Sequence, residues 1–104
     1  MAFYNYLKSH AERQPDSAAI IEGDCTVTYG EFCEQVESFA VALSELPLNS
    51  SSKVGLLCLN QKEHLVAMIG CLLKGVPLIP FNFLLKPEDL AFITQDAGID
   101  TLIV

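Results

Sequence analysis

The side chains able to do chemistry are few and scattered. Glu63 and His64 adjoin in the run NQKEHLVAM (Asn60–Met68), and such a pair could serve as general acid and base. The run reads as a helix, where neighbouring side chains diverge by ~100°. The two groups are therefore not aligned on one proton path, and His64, like His10, is expected as a solvated or boundary histidine. Four cysteines stand at 25, 33, 58 and 71, with gaps of 8, 25 and 13 residues. No C-x-x-C pair occurs and neither histidine falls at a zinc-site spacing. Cys58 falls in an apolar strand and Cys71 in an apolar helix, so the cysteines are expected as reduced, buried thiols.

Thr28 and Glu31 lie three apart ahead of an apolar-periodic run. That spacing is a capping box, which makes Glu31 a helix cap rather than a general base. Asp16, Glu22 and Asp24 sit in turn-like stretches, where carboxylates serve the backbone. Tyr4, Tyr6 and Tyr29 are expected to pack at the core or its boundary. No G-x-x-x-x-G-K-[ST] or G-x-G-x-x-G phosphate loop occurs, nor G-x-S-x-G, nor H-E-x-x-H. No catalytic, cofactor-binding or metal-binding residue is assigned.

Composition narrows the function classes. Net charge is −7, with six Lys and Arg and no two of them adjacent. A nucleic-acid binder needs a basic face, and an anionic lipid surface attracts one; this chain has none. The 104 residues suffice for one small domain. The apolar share is 51% and mean hydropathy is +0.37, both high. No apolar run, neither Val54–Leu59 nor Leu65–Leu73, approaches the ~20 residues of a membrane span. The excess apolarity points to surfaces buried against protein. The N-terminus lacks the pattern of a signal peptide, and a cytoplasmic location is expected.

The elements that must position these groups follow from periodicity. Ala2–Arg13 reads as a helix with Phe3, Leu7 and Ala11 on one stripe, stopped at Gln14-Pro15. AAII and CTVTY flank a Gly23-Asp24 turn as a hairpin, with Val27 and Tyr29 on one face. After the capping box, Phe32, Val36, Phe39, Ala40 and Leu43 form a second stripe, with Glu31, Glu34, Gln35 and Ser38 on the wet side, until Pro47 ends the helix. NSSS is a loop. Then come a strand (Val54–Leu59), a helix (Gln61–Lys74, stripe Leu65, Met68, Ile69, Leu72, Leu73) and a left-handed Gly75. Val76–Phe81 is a second strand whose Pro77 and Pro80 suggest an edge, a bulge or strand ends. A third helix begins at Pro87, with Glu88 and Asp89 in its first turn, and stops at Gly98 before a third strand, Thr101–Val104. The alternation implies right-handed crossovers and a parallel sheet. The expected fold is α/β: helix, β-hairpin and capped helix over 1–53, then a βαβαβ unit over 54–104. The last strand, TLIV, has no following helix to cover it, so a partial domain is expected.

The ordered segments resemble the N-terminal part of the adenylate-forming, AMP-binding ligases: acyl-CoA synthetases, peptide-synthetase adenylation domains and luciferases. HAERQPDSAAI is similar to the family's opening helix and Pro-Asp pair. VTYGEF resembles its Thr-Tyr-x-Glu-Leu segment, with Phe32 for leucine. KVGLLCLNQKEHLVAMIGCLLKGVPLIPFN resembles its strand, Asn, helix and Pro-Leu-Asn progression, and KPEDLAFITQDAGIDTLIV its next helix and strand. The chain departs where SSSK stands for Gly-Asp-Arg, Lys74-Gly75-Val76 for Ala-Gly-Ala, and FNFLL for the proline after Pro-x-Asn. The resemblance runs from about Leu7 to Val104.

The resemblance implies a two-step reaction. A carboxylate attacks the α-phosphate of ATP, giving an acyl-adenylate and pyrophosphate; a thiol of CoA or of a carrier's phosphopantetheine then takes the acyl group. It implies ATP, Mg2+ and CoA for a parent enzyme, a small carboxylic acid substrate, and the remainder of its own chain as partner. The phosphate loop and the other contacts to substrate lie in later segments of the family, so this stretch is expected to be inactive alone. Its uncovered apolar faces predict self-association. The alternative is a stand-alone noncatalytic domain that binds a protein through its exposed sheet edge.

Overall fold

The computed structural model describes residues 2–57, 62–81 and 84–103. Helix α1 (Ala2–Arg13) leads into the antiparallel strands β1 (Ala18–Glu22) and β2 (Cys25–Thr28). Helix α2 (Tyr29–Ser44) follows, then β3 (Val54–Leu56), α3 (Lys62–Lys74), β4 (Leu78–Pro80), α4 (Pro87–Ala97) and β5 (Thr101–Ile103). The hairpin turns on Gly23 at φ +60°, a conformation glycine adopts without strain. Gly75 and Gly98 lie in the same region directly after α3 and α4.

The Thr28 cap forms as expected. Its hydroxyl accepts the Glu31 N–H at 3.2 Å, and the Glu31 carboxylate accepts the Thr28 N–H at 3.0 Å. Tyr29 does not extend β2. It opens α2 instead, and its N–H donates to the Ser17 carbonyl at 2.9 Å. The NSSS loop satisfies itself: Asn49 Oδ1 accepts the Ser51 N–H and hydroxyl, and the buried Ser52 Oγ accepts the Asn49 N–H.

The main core lies between α1, the hairpin, α2 and α3. Leu7, Val27, Phe32, Cys33, Val36, Val66 and Ile69 form its centre. On α1 the inward stripe is Tyr4, Leu7 and Ala11, one step round from the expected one, and Phe3 is 60% exposed. Tyr4 wins that place because its ring packs on the core while its hydroxyl reaches the Glu37 carboxylate.

The expected stripe of α3 is corrected more strongly. Val66, Ala67, Ile69, Gly70 and Cys71 are buried, whereas Leu65, Met68 and Leu72 are exposed. The helix is apolar nearly all round, so hydrophobicity did not choose the face; small residues did. A Cβ at Gly70 would lie 2.5 Å from Phe39 Cδ1, so only glycine lets α2 and α3 approach this closely.

The second sheet has order β4-β3-β5 with both pairings parallel, so the expected parallel unit forms. Pro77 accepts from the Val54 N–H and the Phe81 N–H donates to Leu56, so odd-numbered residues of this segment turn their backbone groups toward β3. Pro80 therefore faces outward on an edge strand, where its missing N–H disrupts no ladder bond. The prolines also keep β4 shorter than the expected Val76–Phe81. Cys58 and Leu59 of the first expected strand, Gln61, Asn82 and Val104 lie outside the described residues. Crossovers of one hand run from β3 to β4 and back past β3 to β5, which sets α3 and α4 on opposite faces of the sheet. The α3 face buries Val54 and Leu56 completely or nearly so. The opposite face is thin: Phe81, Leu102 and Ile99 close over Gly55, and α4 buries no residue. Phe92 on α4 is 68% exposed. The radius of gyration is 14.9 Å, against ~13 Å for a compact domain of this length.

Candidate functional site

The βαβαβ unit leaves an apolar cleft beyond the carboxyl ends of its strands, the place where α/β sheets carry ligands. Its volume is about 610 Å³. Leu56 and Ile103, the last residues of β3 and β5, form its floor with Val66, Ala67 and Phe39 from α3 and α2. Glu34, Gln35 and Ser38 of α2 and Glu63 of α3 make the rim. The cleft lies where β5 is an edge of the described sheet, and α2 and α3 overhang it there. Among the described residues, two carboxylates and no basic side chain line it, so this lining suits apolar groups and opposes a polyphosphate.

The candidate side chains do not converge. Glu63 reaches the cleft rim, while His64 is half-buried beside it on α3. His10 stacks on Tyr29 with ring centroids 5.2 Å apart and planes 23° from parallel. Glu31 is spent on the cap; the Thr28 backbone N–H, then the Thr28 side chain, hold its carboxyl below the ordinary range. Tyr6 is exposed rather than packed, whereas Tyr4 and Tyr29 pack against the core. Cys33 and Cys71 are buried as expected; Cys25 is not. Cys25 sits at the hairpin surface 3.4 Å from the Lys62 ammonium, a contact that raises the lysine pKa. Burial pushes the Cys71 thiol up to about 11. Among the described residues, no group of three or more His, Cys, Asp and Glu could hold a metal ion. Among them too, no helix is long and apolar enough to cross a membrane.

One polar network escaped the sequence. The Tyr4 hydroxyl and the Cys33 thiol both donate to Glu37 Oε1. The Tyr4 hydrogen bond is the main cause that lowers the Glu37 pKa, and it raises that of Tyr4. Cys33 is raised by burial first and by Glu37 second. Cys33 and Glu37 are i, i+4 on α2, a spacing that marks contact; the partner on α1 is set only by the fold. The network ties α1 to α2.

The order of elements and the sheet that they build are those of a known family. The model of the AMP-binding enzyme family matches residues 7–104. The chain belongs to the AMP-binding enzyme family. Among its curated relatives is the medium/long-chain-fatty-acid–CoA/3-oxocholest-4-en-26-oate–CoA ligase of Mycolicibacterium smegmatis. It is 32% identical over 98 residues, which are 93% of this chain and 18% of that protein. The 2-succinylbenzoate–CoA ligase of Bacillus licheniformis is 30% identical over 88 residues, 85% of this chain and 18% of the relative. Two solved structures place the fold. The N-terminal subdomain of Klebsiella oxytoca NpsA superposes with a TM-score of 0.83 at 23% identity, over 96% of this chain and 26% of that one. The O-succinylbenzoate coenzyme A synthetase MenE of Bacillus subtilis gives 0.81 at 28%, over 94% and 22%. This AMP-binding family member thus spans less than a fifth of the length of those curated ligases, and it matches the N-terminal subdomain fold of an adenylating enzyme.

Proposed function

We propose that the chain is the N-terminal scaffold segment of an ATP-dependent ligase that joins a carboxylic acid to CoA, or to a carrier thiol, through an acyl-adenylate. The observation that carries this is the family match over residues 7–104 set against relatives that are CoA ligases, of each of which the match covers only 18%. One solved MenE structure holds ATP and a magnesium ion, which supports the same cofactors for the longer protein. The described lining of the cleft at the strand ends is apolar and acid-rimmed, which does not suit a nucleotide. No reaction step is assigned to the residues of this segment. What they supply is mechanical. The parallel sheet and its α2–α3 cover fix the position and direction of β3 and β5, against which later segments fold.

The test is acid-dependent exchange of labelled pyrophosphate into ATP. A chimera is made of the Bacillus licheniformis 2-succinylbenzoate–CoA ligase with its matched stretch replaced by this chain. It is expected to exchange with 2-succinylbenzoate; the 104-residue chain is expected not to. Exchange by the chain alone overturns the proposal.

A further inference from the structure

Cys25 opens β2 beside the Gly23-Asp24 turn, and the hairpin register sets it opposite Glu22. Lys62 opens α3. The two are 37 positions apart in the chain, yet the Lys62 ammonium donates to the Cys25 sulfur across 3.4 Å. Each is the first residue of a regular element, which fixes both backbones. Cys25 is exposed and Lys62 half-buried, so solvent reaches the pair. A nucleophile and its target react from ~3–3.5 Å apart, and this thiol and amine already stand at that distance. Cys33 and Cys71 are buried and out of reach of a sulfur at this surface.

We propose that Cys25 and Lys62 form a peroxide-responsive modification site, in which Lys62 captures a Cys25 sulfenic acid as a sulfur–nitrogen bond. The Cys25 thiolate attacks one oxygen of hydrogen peroxide. An S–O bond forms, the O–O bond breaks, and hydroxide leaves to take up the thiol's proton as water. Sulfur is oxidised by two electrons and the peroxide is reduced. Lys62, having given one proton to solvent, then attacks the sulfenyl sulfur. The S–N bond forms, the S–O bond breaks, and hydroxide leaves with an amine proton as a second water. Charge enforces the order of the two steps. Contact with the Cys25 sulfur is the first cause that raises the Lys62 pKa, and Glu63 and Glu22 add to it. A neutral sulfenic acid takes away the negative sulfur, so the amine gives up its proton more readily once its target has formed. The bond joins the hairpin to the first turn of α3. Glu63 of that turn rims the cleft, so oxidation pins the rim to the hairpin.

The experiment treats the reduced chain with a small excess of hydrogen peroxide at neutral pH, followed by mass spectrometry of the intact chain and of its unreduced peptides. The chain is expected to become lighter by two hydrogens, with the Cys25 peptide joined to the Lys62 peptide, and dithiothreitol is expected to reverse both changes. The linked chain should melt more than ~5 °C above the reduced one, because a closed loop restrains the unfolded state. Lys62→Arg keeps the positive charge and removes the nucleophile. It should give no link, and dimedone should then label the Cys25 sulfenic acid ~10-fold more than in the unsubstituted chain. Cys25→Ser should give neither link nor label at that position. Equal dimedone labelling with and without Lys62→Arg overturns the proposal. So does a Cys25 disulfide to Cys58 or to a second chain in place of the Lys62 link, or a link that retains the peroxide oxygen.

Discussion

The Thr28 hydroxyl and the Glu31 carboxylate exchange hydrogen bonds with each other's backbone N–H, closing the amino end of α2 where the hairpin enters it. Thr28→Ala should cost about 1 kcal/mol of stability, the usual worth of an N-cap. The Glu31 and Glu37 carboxyls are both held low in the folded state, by Thr28 and by Tyr4 respectively. A depressed carboxyl binds fewer protons folded than unfolded. Its contribution is therefore complete above the ordinary carboxylate pKa of ~4.3 and is lost as pH falls through the folded value. Urea midpoints measured from pH 6 down to 3 should fall, and Glu31→Gln with Glu37→Gln should flatten that limb.

Gly70 and Phe39 set the spacing of α2 on α3. In an open helix Gly→Ala is stabilising, by ~1 kcal/mol. Here the new methyl would meet Phe39 Cδ1 at 2.5 Å, and overpacking costs about 1–3 kcal/mol. Gly70→Ala should therefore destabilise, and Phe39→Leu in the same chain should recover part of the loss. A double-mutant cycle on denaturation midpoints reads the coupling.

The thiols differ in access. Brief treatment of the native chain with iodoacetamide near pH 8 should label Cys25 and leave Cys33 and Cys71 unlabelled, as peptide mapping would show. The buried Cys71 thiol, at about 11, also keeps its proton after an unfolded one has lost it. The folded state then binds more protons, so stability should decline as pH rises from the ordinary thiol value of ~8.5 toward 11. Cys71→Ala should lessen that decline, at some cost in packing, while the raised Cys33 and Tyr4 carry the rest.

Leu65, Met68 and Leu72 make an exposed stripe along α3, and Phe92 is exposed on α4. The isolated chain should self-associate with rising concentration in light scattering. Changing the three α3 residues to serine should shift it toward monomer without loss of helix signal.

Much of the fold was legible because local chemistry dictated it. Thr28-x-x-Glu31, Pro87 with Gly98, and Gly23 in its turn each specify a boundary through one backbone requirement. Pro77 and Pro80 narrowed their strand to an edge, a bulge or strand ends because a missing N–H has few places to go, and the structure makes it an edge. The inward face of α3 was not legible. A helix apolar on every side does not reveal which side meets α2, and the answer lay in the size of Gly70 and Ala67. Tyr4 displaced Phe3 for a related reason, since its hydroxyl had a partner on an element that the sequence places far away. The cleft was hidden altogether. It arises where two helices overhang an edge strand, a relation among segments with no residue of its own to signal it.

The account holds that this stretch builds the frame and that its cleft does not receive nucleotide. The direct measurement is a titration of the chain with magnesium-ATP, followed by the backbone amide resonances of Leu56, Ala67 and Ile103 around the cleft. They should not move beyond the shifts that magnesium chloride alone produces. Saturable shifts at those amides with ATP, absent with magnesium alone, would make the cleft a nucleotide site and contradict the account.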